Sequence, residues 1–316
     1  MKSEDFSGKL ILAPMAGYTD LPFRLLAREY GADITISEMI SAKGLYYGDK
    51  KTAALYETVP EEKPYGIQLF GSEPEILAKA AGILKLKNED PDDPLFYDFI
   101  DFNAGCPAPK VVKNGDGSAL IREPKLLAAC ITALVASAGV PVTVKSRKGF
   151  VRGEDHAVEL ARIAEDSGAA AFTLHGRTRD EYYQGHSDWN SVAEAASAVD
   201  IPVILSGDIR TREDAMRAEG LGASSLMIGR AAVGDPMLFH RIKTGETGGV
   251  SEDRIKAALR HIALTEYFNN SKYAIIEMRK HLAAYTKGLP DSAALRKKIF
   301  EVSTPEEARE LFRKSL

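Results

Sequence analysis

Cysteine is scarce. The 316-residue chain holds two, Cys106 and Cys130, too few for a disulfide framework or a four-thiolate metal site. Long apolar runs are missing as well. No stretch approaches the ~20 residues that a membrane-spanning helix needs. The start, "MKSEDFSGKLILAPMAG", has an acidic pair and a short apolar run where a secretory signal carries a basic end and a long apolar core. The expectation is a cytoplasmic protein without a membrane partner, and no obligate protein partner is evident. Nor does one sign of charge dominate. A net charge of −4 argues against a surface that binds polyanions everywhere. The balance is uneven, however: residues 272–298 hold seven Lys or Arg against two acids, a local basic surface on an acidic chain.

What is present is alternation. Eight short β-rich runs, at 9–14, 32–37, 65–70, 98–103, 141–146, 170–175, 202–207 and 224–229, are mostly followed by segments with apolar residues three and four apart, such as Leu77, Ala81 and Leu84. Eight such units fit an α/β fold, a TIM-type (β/α)8 barrel. An open doubly wound sheet is the alternative; it more often has fewer strands and a G-x-G-x-x-G turn after the first, and none is present. The acidic run 87–94 precedes the fourth strand and reads as a solvated loop at the barrel's N-terminal rim. After Gly248-Gly249 strand signals stop. Ile275, Met278, Leu282 and Tyr285 form one helical stripe with Gly288 as a C-cap, and Ser303 or Thr304 before Pro305 opens a further helix. The expected organisation is a barrel over 1–245 and a C-terminal all-helical domain over 246–316.

In such a barrel the working face lies where strands end and βα loops begin. Nearly every strand delivers a candidate there: Pro14-Met15-Ala16, Glu38, Gln68, Asn103 and Cys106, Lys145 and Arg147, His175 and Arg177, Ser206-Gly207-Asp208, and Gly229-Arg230. The glycines after strands seven and eight let backbone N–H groups approach a phosphate, and Arg230 adds fixed charge. Lys145 closes the apolar run "PVTVK" and is either a snorkelling surface lysine or a cation aimed into the mouth; Arg147 points the same way by alternation. His175 has no H-x-x-x-H or H-x-H partner, which favours phosphate or ring contact over metal ligation, and no metal site is expected. Cys130, in "LLAACITALVA", reads as core. Cys106 sits past a strand end on a loop stiffened by Pro107 and Pro109, placed to act as a nucleophile or as a general acid.

Read in order, "APMAGYTDLPFR", "GIQLFGS", "DFNAGCPAPKVVKNGDGSALI", "VKSRKG", "HGRTRDEYYQGHSDW", "PVILSGDI" and "MIGRAAVGDP" resemble the flavin-dependent tRNA-dihydrouridine synthases, and "EMRKHLAAYTKGLPDSAALR" resembles their bacterial branch. The resemblance covers residues 9–316. It departs from the family at Ala284, where relatives often carry Trp.

The resemblance implies an enzyme that reduces the C5–C6 double bond of uridine in tRNA, with FMN as cofactor and NADPH, or NADH, as reductant. Hydride would pass from flavin N5 to uracil C6. Cys106 would give the proton to C5. Pro14, Met15 and Ala16 would back the flavin ring, Gln68 would bond its polar edge and Lys145 would stand by its pyrimidine side. His175, Ser206, Gly207, Asp208, Gly229 and Arg230 would hold the phosphate end. Asn103 and Arg147 would face the substrate. Lys110, Lys113, Arg177 and Arg179 at the mouth, with Lys272, Arg279, Lys280 and Lys287 on the helical domain, would meet RNA phosphates. Two rivals stand beside this reading: a flavin barrel acting on a free small molecule, and an RNA-binding barrel that has lost catalysis.

Overall fold

Alternation along the strand "FIDFNA" divides its side chains between two environments. Ile100, Phe102 and Ala104 face outward into the layer shared with the helices, while Phe99 joins Ile11, Ile34, Ile204 and Met227 in a separate apolar cluster inside the barrel. The computed structural model describes residues 1–246, 250–269, 271 and 273–314. Its strands are β1 (Leu10–Leu12), β2 (Thr35–Ile36), β3 (Ile40–Ser41), β4 (Tyr65–Phe70), β5 (Phe99–Ala104), β6 (Val142–Gly149), β7 (Ala171–Thr178), β8 (Val203–Ser206) and β9 (Ser225–Ile228). All pairings are parallel, in the order β1-β9-β8-β7-β6-β5-β4-β2, with β3 also on β4. Closure comes from Asp33 N–H to Leu10 O (2.7 Å) and Leu12 N–H to Ile34 O (2.9 Å). The fold is the TIM-type barrel that the spacing predicts.

One strand departs from expectation. The run 32–37 continues past its expected end and is broken into β2 and β3, because six residues from Thr35 to Ile40 face five from Tyr65 to Leu69. The extra residue makes a bulge. There the Ser37 hydroxyl takes the place of a ladder carbonyl, accepting from Gln68 N–H at 2.9 Å. The bulge turns Glu38 toward the β1 loop, where its carboxylate accepts from Gly17 N–H at 2.5 Å.

The N-terminal end of the barrel is plugged. The 3-10 turn Ser3–Phe6 places Phe6 edge-on to Phe99, ring centroids 5.1 Å apart, and Ser225 Oγ donates to Phe6 O at 2.6 Å. A buried ion pair braces the neighbouring wall. Arg24 donates to both oxygens of Glu62 (2.5 and 3.1 Å), with further bonds to Thr19 O and Glu57 O, so each of the four groups is paired.

Beyond the barrel run the helices Val250–Phe268, Ala274–Tyr285, Ser292–Ile299 and Pro305–Arg313. The Ile275, Met278, Leu282, Tyr285 stripe is buried. Thr304 caps the last helix in a reciprocal box with Glu307. Gly248 and Gly249, expected at the junction, and Lys272 lie outside the described residues. The helical region rests on Leu21–Glu29, the helix after β1: Phe23 packs on His261 (5.5 Å) and His281 (4.8 Å), and Arg260 pairs with Glu29 at 2.5 Å. Ala284 keeps its backbone within 2.5 Å of where a Cβ on Gly234 would lie, so this contact requires glycine. No helix among the described residues is long and apolar enough to cross a membrane.

Gly66 in β4 faces Phe99 so closely that an added Cβ would stand 2.3 Å from the ring. Gly66→Ala should cost about 1–3 kcal/mol of stability through overpacking, measured by urea unfolding. Phe99→Leu in the same background should return part of that loss.

Candidate functional site

The inward positions of β4, β5, β6 and β7 carry polar side chains at the C-terminal half of the barrel. Gln68, Asp101 and Thr143 are fully or almost fully buried, and Asn103 nearly so. They satisfy one another: Thr143 Oγ1 donates to Asp101 (2.6 Å), Gln68 Nε2 donates to the other Asp101 oxygen (2.6 Å), and Asn103 Nδ2 donates to Gln68 Oε1 (2.9 Å). Asn103 Oδ1 then accepts from the backbone N–H groups of Gly105 (3.1 Å) and Cys106 (2.9 Å). The sequence reading aimed Asn103 at a substrate. Its oxygen is instead committed to the cysteine loop, leaving one amide hydrogen for other partners.

That loop is pinned from several sides. Arg147 Nε donates to Gly105 O at 3.1 Å, while its Nη1 reaches Thr178 O and Tyr182 O, both at 2.8 Å. Ser118 donates through both its N–H (3.1 Å) and its hydroxyl (2.9 Å) to Cys106 O. Gly117, at φ +59°, lies so near that a Cβ would stand 2.9 Å from that carbonyl. Cys106 itself is half-buried. Burial pushes its thiol up, against the Ala108 N–H and the charges of Arg147 and Lys145, which favour thiolate. The group held here is therefore a neutral thiol with cations ready for its conjugate base. Cys130 is buried in helix Pro124–Ala138, its thiol pushed up to about 12 by burial, consistent with a packing role.

Lys145 ends up in the mouth. Among the described residues it donates no hydrogen bond and makes no ion pair, and burial draws its ammonium down to about 8, opposed by Asp101. An unpartnered cation next to Gln68 and Asn103 fits an anionic or electron-accepting ring system.

The ends of β8 and β9 complete the well. The N–H groups of Gly207, Asp208, Gly229 and Arg230 donate to no acceptor among the described residues, and Arg230 bridges the two loops to Asp208 at 3.8 Å. Four unpaired N–H groups on adjacent loops fit a phosphate. The Asp208 carboxylate cannot itself serve an anion. It accepts from Arg177 (2.6 Å), Ser187 N–H (2.8 Å) and Arg210 (3.0 Å), so its part is to shape the loop. Gly207, at φ +113°, admits no Cβ beside Ser187 and His175. Met15, expected as ring backing, lies against Gly229, its sulfur 3.4 Å from a Cβ placed there. Pro14 is half-buried beside it and Ala16 is exposed.

His175 meets Arg177 Nη1 at 3.0 Å through Nε2. A guanidinium only donates, so Nε2 is bare and the proton sits on Nδ1. Burial, then Arg147 and Lys145, holds the ring neutral. No cluster of three or more His, Cys, Asp or Glu among the described residues could hold a metal.

Three cations assigned to the substrate turn inward. Arg177 is 0 % exposed, spent on His175, Asp208 and the carbonyls of Gln184 and Gly185. Arg147 is spent on the loop carbonyls above. Arg279 donates twice to Val302 O, tying its helix to the connection before the last helix. Lys110, Lys113, Lys280 and Lys287 are exposed, and Arg179 is half-buried against Phe150 at 4.8 Å. Lys280 stands over Tyr18 at 5.2 Å and beside Gly17, which brings the helical region to the lip of the mouth. The sequence reading missed Tyr183, which is 51 % exposed and flanked by Arg147 (5.5 Å) and Arg230 (4.4 Å). It also missed Asp101, whose signal was available: a carboxylate mid-strand, two residues before Asn103 and therefore interior.

The profile of the dihydrouridine synthase family matches residues 11–316. A tRNA-dihydrouridine synthase B of Xanthomonas axonopodis pv. citri is 38% identical over 94% of this chain and 90% of its own. A probable tRNA-dihydrouridine synthase of Rickettsia bellii is 38% identical over 95% and 92%. A tRNA-dihydrouridine synthase B of Pseudomonas aeruginosa is 37% identical over 91% and 86%. Among solved structures, a morphinone reductase variant in complex with tetrahydroNAD superposes with a TM-score of 0.54 at 13% identity, covering 75% of this chain and 86% of its own. That likeness bears on the barrel fold alone.

Lys145 supplies a test of the site's electrostatics. Its folded pKa of about 8 lies below the 10.5 of a free lysine, so the charged form burdens the folded state at neutral pH, and the burden lifts between those two values. In ligand-free protein, Lys145→Met should melt at a higher temperature than the parent at pH 7. The gap should narrow as pH rises through 8 toward 10.5. A lower melting temperature at pH 7 would contradict a cation held without a partner.

Proposed function

The chain belongs to the dihydrouridine synthase family, and from that premise we propose that it reduces uridine in tRNA to 5,6-dihydrouridine, using FMN and a reduced nicotinamide, NADPH or NADH. The observation that carries the chemistry is the neutral Cys106 thiol, held by the Asn103 cap beside the unpartnered Lys145. The names of the three relatives support the substrate.

When bound, the flavin supplies hydride from N5 to uracil C6. The chain's own residues do the rest. Pro14, Met15 and Ala16 would back the ring, Gln68 would offer its remaining N–H to the ring's polar edge, and Lys145 would place positive charge by its pyrimidine side. His175 would offer Nδ1–H, and the amides of Gly207, Asp208, Gly229 and Arg230, behind Ser206, would receive the phosphate. The target uridine leaves its stack to enter the mouth, since its ring is otherwise out of reach. Asn103 turns its free amide hydrogen toward the uracil. Cys106 gives its proton to C5 from the face opposite the hydride, and the resulting thiolate sits in the field of Lys145 and Arg147 until water restores it.

RNA meets a basic rim. Lys110 and Lys113 follow the cysteine loop, Arg179 and Lys280 line the lip, and Lys287 extends the path. Arg296, Lys297 and Lys298 are exposed on helix Ser292–Ile299 without an acid partner among the described residues. On this reading residues 1–245 form the catalytic barrel and 246–316 the RNA-binding helical domain.

Two measurements test the proposal. Cys106→Ala should keep flavin, tRNA binding and reduction by NADPH, while reoxidation of the reduced flavin by tRNA slows by roughly 10²–10⁴-fold. Cys130→Ala should leave that rate alone and cost only some stability through a small void. Wild-type reoxidation by Cys106→Ala would remove the thiol from the chemistry, and free uridine reduced as fast as tRNA would remove the RNA. Separately, Lys280→Glu with Lys297→Glu should weaken tRNA binding and flatten its salt dependence without touching the NADPH step. Arg279→Glu should instead lower thermal stability, because its partner is Val302 O.

A further inference from the structure

The buried chain from Thr143 to Cys106 has one direction. At its outer end, the N–H groups of Gly105 and Cys106 can only donate, so Asn103 must present its oxygen to them. Its NH2 then faces inward and requires an acceptor, which is Gln68 Oε1 at 2.9 Å. Gln68 is thereby turned so that its own NH2 faces the far side, where Asp101 accepts at 2.6 Å. Asp101 is the inner terminus, accepting also from Thr143 at 2.6 Å. Each amide is oriented by the next, and a carboxyl group, whose two oxygens here face the Gln68 NH2 and the Thr143 hydroxyl, has no N–H to turn toward the relay.

We propose that Asp101 is a positioning residue for Cys106: its carboxylate fixes the direction of the two-amide relay Gln68–Asn103, and that direction holds the N–H groups of the cysteine loop. This rests on the reading of Cys106 as the proton donor. Asp101 touches neither thiol nor uridine and acts through two side chains. The requirement it meets is that a general acid be held to one carbon, where displacement by about 1 Å can cost two orders of magnitude in rate.

The relay can be broken and then reversed. Asn103→Asp sets a carboxylate oxygen against Gln68 Oε1. Gln68 can turn over to donate outward, but its oxygen then meets Asp101. Adding Asp101→Asn supplies a donor there, and the relay closes again with opposite polarity: the loop N–H groups still find an oxygen at 103, and Thr143 still finds one at 101. Hydrogen exchange at the amides of 105 and 106, followed by mass spectrometry, reads the loop without flavin or tRNA. Exchange should be roughly five- to tenfold faster in Asn103→Asp, the loss of about one buried hydrogen bond. It should return to within about threefold of wild type in the double variant, and alkylation of Cys106 by iodoacetamide should follow the same order. Asp101→Asn alone should be mild, because the new amide can turn its NH2 to the Thr143 hydroxyl. Asp101→Asn with Thr143→Val should loosen the loop where each single change does not.

Additive effects in the double variants would overturn the proposal. If Asn103→Asp does not fold, recovery of folding on adding Asp101→Asn supports the relay. In that case a Thr143→Val pair no worse than the sum of its parts would sink it. The readouts separate the two readings. A failed relay with a slow Cys106→Ala leaves the proposed reaction standing, and a working relay with a fast Cys106→Ala leaves the loop ordered for another purpose.

Discussion

A barrel interior has no water to spare for polar side chains, and that constraint governs the site. Asp101, Gln68, Asn103 and Thr143 stand in a space whose lower half is filled by Phe99, Ile34 and Met227. Each must find its partners among the others. They do so in a line that runs upward from the middle of β5 and ends on the backbone of the loop after it. The cysteine loop is thus not fastened at the surface; it hangs from the core. Arg147 and Ser118 then hold it from the two sides. The same demand explains Arg177, a buried guanidinium whose neighbours, His175, Asp208 and two carbonyls, account for its donors.

Charge in the mouth is arranged by depth. Asp101 lies deepest, its carboxyl raised by burial but accepting from Thr143 and Gln68. Lys145 stands above it without a hydrogen-bond partner among the described residues. Arg147 and Arg177 give most of their donors to carbonyls and to Asp208, while their positive charge remains. The result is a positive field whose donors without a partner among the described residues include Lys145, the Nδ1–H of His175, one amide hydrogen each of Gln68 and Asn103, and the amides at the ends of β8 and β9. Fields of this kind keep a nearby imidazole neutral, and His175 is held so.

The strands and the barrel were legible because period-two patterns at 65–70, 98–103 and 170–175 are short, regular and bounded by turns. The helix start at Thr304-Pro305 was legible for the same local reason; its box with Glu307 came from the structure. What the sequence could not tell was partnership. Arg147, Arg177 and Arg279 read as free cations because nothing in a string of letters shows that the carbonyls of Thr178, Gln184 or Val302 will fold against them. Asn103 read as a substrate ligand for the same reason: an Asn before Gly-Cys can cap its own loop or face outward, and only the fold decides. The bulge at 37–39 escaped notice because its cause lies on another strand, in the N–H of Gln68. Asp101 was readable from alternation, and its meaning emerged only once Gln68 stood beside it.

The plug at the bottom of the barrel has a further consequence. Among the described residues, Phe6 against Phe99, with Ser225 bonded to Phe6 O, fills the N-terminal end of the barrel, and Tyr18, Lys280 and Tyr183 stand on the lip of the opposite end. A nicotinamide and a uridine that both need the same buried centre would share one approach to it, and neither could leave through the filled N-terminal end as the other arrives. Traffic through such a well is sequential. The first visitor must deposit its electrons and withdraw before the second is admitted, and the protein must store what was deposited between the two visits.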